Sequence, residues 1–364
     1  MAYAIYYACR PNAASHESCI QLHDLNQILR FVRRAWGPLS LPIVIRAAQN
    51  LAYYRGLRYI RCVKICGVKC NVYAASSPSD EEAEGVWGEN VIFYCHGGAF
   101  VADLHASDLA TIRQWACKTG AVVVVPMYAL APEYPFPTGL NQLLDVYTAV
   151  IHEGFLTAGV TIPSKVVCYG DSAGGNLATA LCAKLIMNSK VQGLRARLPD
   201  ALMLAYPALN LSMASSPSRV IHAFDPVLPI GVMYAVMDMY PDPSQFGSRE
   251  KPGLPLPHSD PLLSPYHLPD EILELFPPTT LMVGDFDPLI DDSVDFHTRL
   301  QRVGVPSQLK IARQCPHGFF GLVDLFPEAQ AVADTVSMNM WTIFHASLQH
   351  EHRHSSVIHA RHER

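Results

Sequence analysis

Six short apolar runs recur along the chain, at residues 91–95, 121–125, 165–169, 201–206, 279–283 and 308–311. Longer stretches with helical periodicity separate them, at 107–118, 140–153, 174–188, 290–303 and 327–348. Runs this short and this uniformly apolar are typical of strands covered on both faces of a sheet. Strands joined through helices pair in parallel, because a crossover needs a dozen or more residues to carry the chain back. The pattern over residues 61–348 therefore predicts an α/β fold with a central, mostly parallel sheet flanked by helices. A chain of 364 residues is long enough to bury such a core.

The flanks differ in texture. Residues 1–60 are expected to form an N-terminal helical cap. Leu25, Ile28, Leu29 and Val32 stand at helical spacing, Arg30, Arg33 and Arg34 supply a basic side, and Pro38 and Pro42 break the run before a second helical stretch at 47–54. Residues 76–90 form an acidic loop and 241–265 a Pro/Ser/Asp-rich surface connection. The tail, 349–364, continues a histidine-rich stretch that includes His345, His350, His352, His354, His359 and His362, and is expected to be disordered or a frayed helical end.

Composition removes several classes of function. Only 16% of residues are charged and the net charge is −5, so there is no basic footprint for nucleic acid. No continuous apolar run approaches the roughly 18 residues of a membrane helix, and the start of the chain lacks the pattern of a secretory leader. The expectation is a soluble, cytoplasmic protein, with peripheral contact to a membrane or lipid droplet left open by the basic helix near residues 24–34. Among the ten cysteines, Cys62, Cys66 and Cys70 are regularly spaced. They lack a C-x-x-C pair or neighbouring histidines, so no metal is expected there.

The chemistry concentrates in four places. Gly170-Asp171-Ser172-Ala173-Gly174 fits G-x-S-x-G, preceded by the run 165–169 and followed by a helical stretch. A sharp strand-to-helix turn of that kind lifts a serine hydroxyl above the edge of a sheet. The hydroxyl becomes a nucleophile only when a base takes its proton. His96-Gly97-Gly98-Ala99-Phe100 follows the run 91–95, where glycines let backbone amides turn toward a substrate oxygen. Gly97, Gly98 and Ala99, with the amide of Ala173, are the candidate oxyanion donors. On this fold an acid and then a histidine follow the serine in the chain. Asp285, Asp287, Asp291 and Asp292 all follow the run 279–283; the last two suit the first turn of the next helix, which favours Asp287, with Asp285 second. His317 in Pro316-His317-Gly318-Phe319 occupies the place of the base.

Together these segments resemble a known family. HGGAF at 96–100, YALAPEYPFP at 128–137, GDSAGGNL at 170–177, DPVLP at 225–229, DPLIDDSV at 287–294 and PHGF at 316–319 are similar to the hormone-sensitive lipase family of α/β-hydrolases, over roughly residues 90–340. The resemblance implies a catalytic triad of Ser172, Asp287 and His317. It implies oxyanion donation from Gly98 and Ala99, with Gly97 shaping the turn and Asp171 and Glu133 holding loops. Ala99 stands where the family's third glycine is expected. Larger relatives carry a long regulatory insertion whose place, near residues 241–259, holds only a short link here. The activity implied is hydrolysis of lipid-like carboxylic esters, such as acylglycerols or cholesteryl esters, without a cofactor. The competing reading is a non-catalytic receptor for a small ligand on the same fold, which would have no use for His317.

Overall fold

A computed structural model of the chain describes residues 56–57, 59–75, 89–154, 162–192, 197–212, 214–246, 259–323 and 326–362, together with Arg30, Ala47 and Leu51. Most of the expected N-terminal cap, most of the acidic loop at 76–90 and residues 247–258 of the surface connection lie outside the described residues.

Eight strands make up the sheet: β1 (Tyr59–Ile65), β2 (Val68–Ala74), β3 (Asn90–Cys95), β4 (Val122–Pro126), β5 (Lys165–Asp171), β6 (Ala201–Ala205), β7 (Thr279–Gly284) and β8 (Ser307–Ala312). Their order is β1-β2-β4-β3-β5-β6-β7-β8. β1 pairs with β2, and β2 with β4, antiparallel; every other neighbouring pair is parallel. The helices are α1 (Asp108–Thr119), α2 (Thr138–His152), α3 (Ala173–Gln192), α4 (Pro217–Ile221), α5 (Ile230–Met239), α6 (Asp270–Leu273), α7 (Ile290–Arg302) and α8 (Pro327–His362).

The core is two apolar layers divided by the sheet. Along β3 the side chains alternate, as a strand's period of two requires: Val91, Phe93 and Cys95 enter one layer, Ile92 and Tyr94 the other. Leu140 and Val146 of α2, Leu177 and Leu181 of α3, Val236 of α5 and Phe296 of α7 close the first layer. Trp115 of α1 and Ala333, Val336 and Met340 of α8 close the second. β4, VVVVP, is buried at every position because both of its faces are covered. α3 is buried nearly all round its first four turns, since it packs against α2 and α6 as well as the sheet.

Three elements depart from the sequence reading. The hairpin β1–β2 was not expected, and its first strand opens at Tyr59, inside the range read as helical. Its two-residue turn places Cys66 at φ 50° and Gly67 at φ 80°, the backbone that a tight hairpin demands. The cysteine spacing thereby acquires a geometric meaning. Cys62 pairs with Asn71 and Val63 with Cys70, so Cys62 and Cys70 face opposite sides of the hairpin, with Cys66 in the turn. Burial pushes the Cys70 thiol up to about 12. The second departure is the pair α4 and α5 between β6 and β7; Ser216 caps α4 by accepting from Arg219 N, and Pro217 starts it. The third is α8, which stays helical through His362, across most of the tail expected to fray. Among the described residues no helix is long and apolar enough to cross a membrane.

Phe93 is fully buried beneath the end of β3 and meets Tyr147 of α2 edge to face, with ring centroids 5.3 Å apart. Phe93→Ala should therefore lower the unfolding free energy by about 3–5 kcal/mol, measured as a drop in urea midpoint at unchanged slope.

Candidate active site

The chemistry collects at the carboxyl ends of β3, β5, β7 and β8. β5 runs directly into α3, and the residue at the corner, Ser172, has φ 53°. That left-handed conformation costs a non-glycine residue about 1–2 kcal/mol and is typical of strain held at a functional turn. The surroundings hold it there. Ser172 N donates to Ala205 O at 2.9 Å, and Ser172 O accepts from Gly175 N at 3.0 Å and Ala208 N at 3.1 Å. Gly174 has to be glycine, because a Cβ there would overlap the carbonyls of Cys95 and His96. The start of α3 can thus press against the end of β3.

His317 arrives from the loop after β8. Its Nε2 lies 2.9 Å from Ser172 Oγ and its Nδ1 lies 2.8 Å from Asp287 Oδ2. Asp287 follows β7, is fully buried, and accepts from Leu289 N at 2.8 Å with its other oxygen. With Nδ1–H donating to the carboxylate, Nε2 is left as the acceptor facing the serine hydroxyl. Burial by itself would make the imidazole harder to protonate. The charge of Asp287 and its hydrogen bond, joined by Asp225 and Asp171, outweigh burial and raise His317 above its ordinary 6.5. The edge of Tyr206 meets the imidazole, with centroids 4.8 Å apart.

The other aspartates of this segment are placed elsewhere. Asp285 Oδ1 is buried with no hydrogen-bond partner. Asp291 and Asp292 begin α7, but they also reach to α4 and the segment before it: Asp291 accepts from Ser218 N at 2.8 Å, and Asp292 from Asn210 N at 2.9 Å. Asp292 lies 3.5 Å from the fully buried Arg219, whose guanidinium also donates to the carbonyls of Asn210, Ser212 and Ala214. Burial nevertheless raises the Asp292 carboxyl to about 7 against the pull of Arg219.

The loop after β3 supplies backbone donors. Gly98 has φ 115°, and a side chain there would strike Ala102 O, so this position requires glycine. Ala99 has φ 54°, a left-handed value open to alanine, so a third glycine is not needed. Gly97 is different from its neighbours: its N–H donates to Asp171 Oδ1 at 2.8 Å, which takes it out of the set of candidate donors and makes it a shaping residue. The same Asp171 oxygen accepts from Tyr94 OH at 2.8 Å. Burial, with the nearby charge of Asp108, raises Asp171 to about 7. Among the described residues, no backbone acceptor is recorded for the amides of Gly98, Ala99 or Ala173.

The structure thus brings Ser172, His317 and Asp287 into one hydrogen-bonded chain, with Ala173 next to the serine and the loop of Gly98 and Ala99 tied to the same turn through Gly97 N–H and Asp171. Glu133 lies exposed on the loop after β4. Sequence reasoning gave no role to Asp225 or Arg219. Arg219 is buried in the five-residue helix α4 and Asp225 in the loop that follows it, and neither a helix this short nor a loop leaves a periodic signal.

Comparison with known proteins places the chain in a family. The model of the alpha/beta hydrolase fold family matches residues 92–321. An esterase of Acinetobacter venetianus is 30% identical over 276 residues, 76% of this chain and 80% of that protein. Human hormone-sensitive lipase is 36% identical over 151 residues, which is 42% of this chain but only 13% of the lipase. Among solved structures, the hyperthermophilic esterase of Pyrobaculum calidifontis superposes with a TM-score of 0.68 at 23% identity, covering 88% of this chain and 97% of that one. The chain belongs to the α/β-hydrolase family, on the branch of carboxylic ester hydrolases that includes hormone-sensitive lipase.

Proposed function

We propose that the protein hydrolyses lipid-like carboxylic esters, such as acylglycerols or cholesteryl esters, by an acyl-enzyme route through Ser172, His317 and Asp287. The observation that carries this reading is the unbroken chain from Ser172 Oγ through the imidazole to a buried carboxylate, 2.9 and 2.8 Å per link. Ser172 attacks the ester carbonyl while His317 Nε2 takes its proton, and Asp287 orients the ring and stabilises the imidazolium. Charge building on the carbonyl oxygen is met by the amides of Gly98, Ala99 and Ala173. His317 then gives its proton to the departing alcohol, and a water molecule, deprotonated by the same nitrogen, releases the acid. The apolar character of the substrate is supported by the resemblance to hormone-sensitive lipase.

Ser172→Ala should abolish turnover of a p-nitrophenyl acyl ester and covalent labelling by a fluorophosphonate, with the circular dichroism spectrum unchanged. A receptor without an activated serine would not be labelled in its natural form, and that result would sink the proposal. Asp287→Asn should lower kcat by about three to four orders of magnitude, because the ring loses its orienting carboxylate. Asp285→Asn should stay within a few-fold of the natural enzyme. Only neutral His317 can accept the serine proton, and its pKa is raised above 6.5. The acid limb of a kcat/KM profile should therefore fall above pH 6.5, with activity lost as the pH drops through it.

A further inference from the structure

The loop between α4 and α5 sets a second carboxylate against the loop that carries the base. Asp225, 5% exposed, accepts from His317 N at 2.9 Å with Oδ2. With Oδ1 it accepts from Val227 N at 2.8 Å and Leu228 N at 2.6 Å. Its own N–H donates to His222 O at 3.0 Å. The two loops also touch through side chain and backbone: a Cβ built on Gly318 would come within 3.4 Å of Val227 Cγ1.

His317 needs such a hold because no strand or helix ladder supports it. It stands between β8 and the short turn at Phe319–Leu322, and both Gln314 and Gly318 have positive φ. Asp287 fixes the imidazole ring but leaves the main chain of His317 unrestrained. Asp225 grips that main chain from a different part of the molecule. A carboxylate buried this deeply is costly unless several donors face it, and here three backbone N–H groups do.

We propose that Asp225 is a positioning residue for ester hydrolysis, holding the main chain of His317 in reach of Ser172 and placing a second negative charge beside the imidazolium that forms during the reaction. This rests on the triad reading above. The groups facing His317 are Asp287 from the loop after β7, Asp225 from the loop before α5, Asp171 and Ser172 from the end of β5, and Tyr206 from the end of β6. All three carboxylates favour the protonated ring, and burial opposes it. Asp225 touches neither ring nitrogen, so its removal takes away a charge while leaving both Nδ1 and Nε2 with their partners, and unlike Asp171 it has no bond to the Gly97 loop beside Ser172.

The test compares Asp225→Asn and Asp225→Glu with the natural enzyme on a short p-nitrophenyl ester, reading kcat, KM and the pH profile of kcat/KM. Asparagine keeps one acceptor oxygen and loses the charge. It should lower kcat about 10-fold or more, the order expected for loss of a charge-assisted hydrogen bond, with KM within about two-fold. The acid limb should move to lower pH by roughly half a unit, because His317 becomes easier to deprotonate. Glutamate restores the charge and should return the limb toward its natural position. Should the amide not fold, as judged by urea midpoint, Asp225→Ser is measured the same way. A fall in kcat with the acid limb unmoved, or no change in either, overturns the proposal, since a bracing role alone does not alter the basicity of the imidazole. Ser172→Ala is run alongside. Turnover surviving there defeats the triad reading itself, whereas an inert Ser172→Ala beside an unaltered Asp225→Asn defeats only the role of Asp225.

Discussion

The contact on which the site depends is between backbone and backbone: the start of α3 pressed against the carbonyls of Cys95 and His96 at the end of β3. Only a residue without a Cβ at position 174 permits it. Because β3 and β5 are neighbours with Cys95 level with Gly170, the two chain segments leave the sheet side by side. The loop rich in free amides and the turn carrying Ser172 are forced into proximity before any side chain contributes. The hydrophobic layers above and below then act to keep that edge of the sheet rigid. Phe93 and Tyr94, one residue apart on β3, anchor it into opposite layers.

Buried acids are the second organising theme, and each is treated differently. Asp287 has a histidine and a backbone amide, Asp225 has three backbone amides, and Asp171 has a tyrosine hydroxyl and a glycine amide. Asp292 has Arg219, itself tied to three carbonyls. The partners decide what each carboxylate does. Where they are backbone groups, the acid serves as a clamp between loops. Where the partner is an imidazole that also faces a hydroxyl, the acid joins the proposed chemistry. A buried carboxylate in this fold is therefore read from its partners and not from its depth.

Much of the parallel half of the sheet was legible because a fully covered strand leaves an uninterrupted apolar run, as in the stretch that became β4. Ser172 was legible because a strained strand-to-helix turn needs small residues at fixed offsets. The β1–β2 hairpin was obscured by its own sequence: YIRCVKI and VKCNVYA mix lysine, arginine and cysteine with β-branched residues, and a two-residue turn at Cys66-Gly67 lacks the asparagine or aspartate that usually announces one. The regular spacing of its cysteines, where no metal was expected, sets one on each strand and one in the turn between them. Gly97 could not be told from Gly98 by residue type, since the difference lies in which amide Asp171 captures. Asp225 was visible as part of DPVLP, but its contact with a residue 92 positions away is a product of tertiary packing alone.

The bond from Gly97 N–H to Asp171 has a mechanical consequence. Asp171 is the residue immediately before Ser172, and Gly97 is immediately before Gly98, so a single hydrogen bond cross-braces the Ser172 turn to the loop after β3. Tyr94 ties the same oxygen back into β3. The spacing between the Ser172 turn and the loop of Gly98 and Ala99 is then fixed by the fold itself. In the proposed reaction, amides held this way would not have to rotate as charge develops, and the reorganisation that water would undergo around the same oxyanion would be avoided.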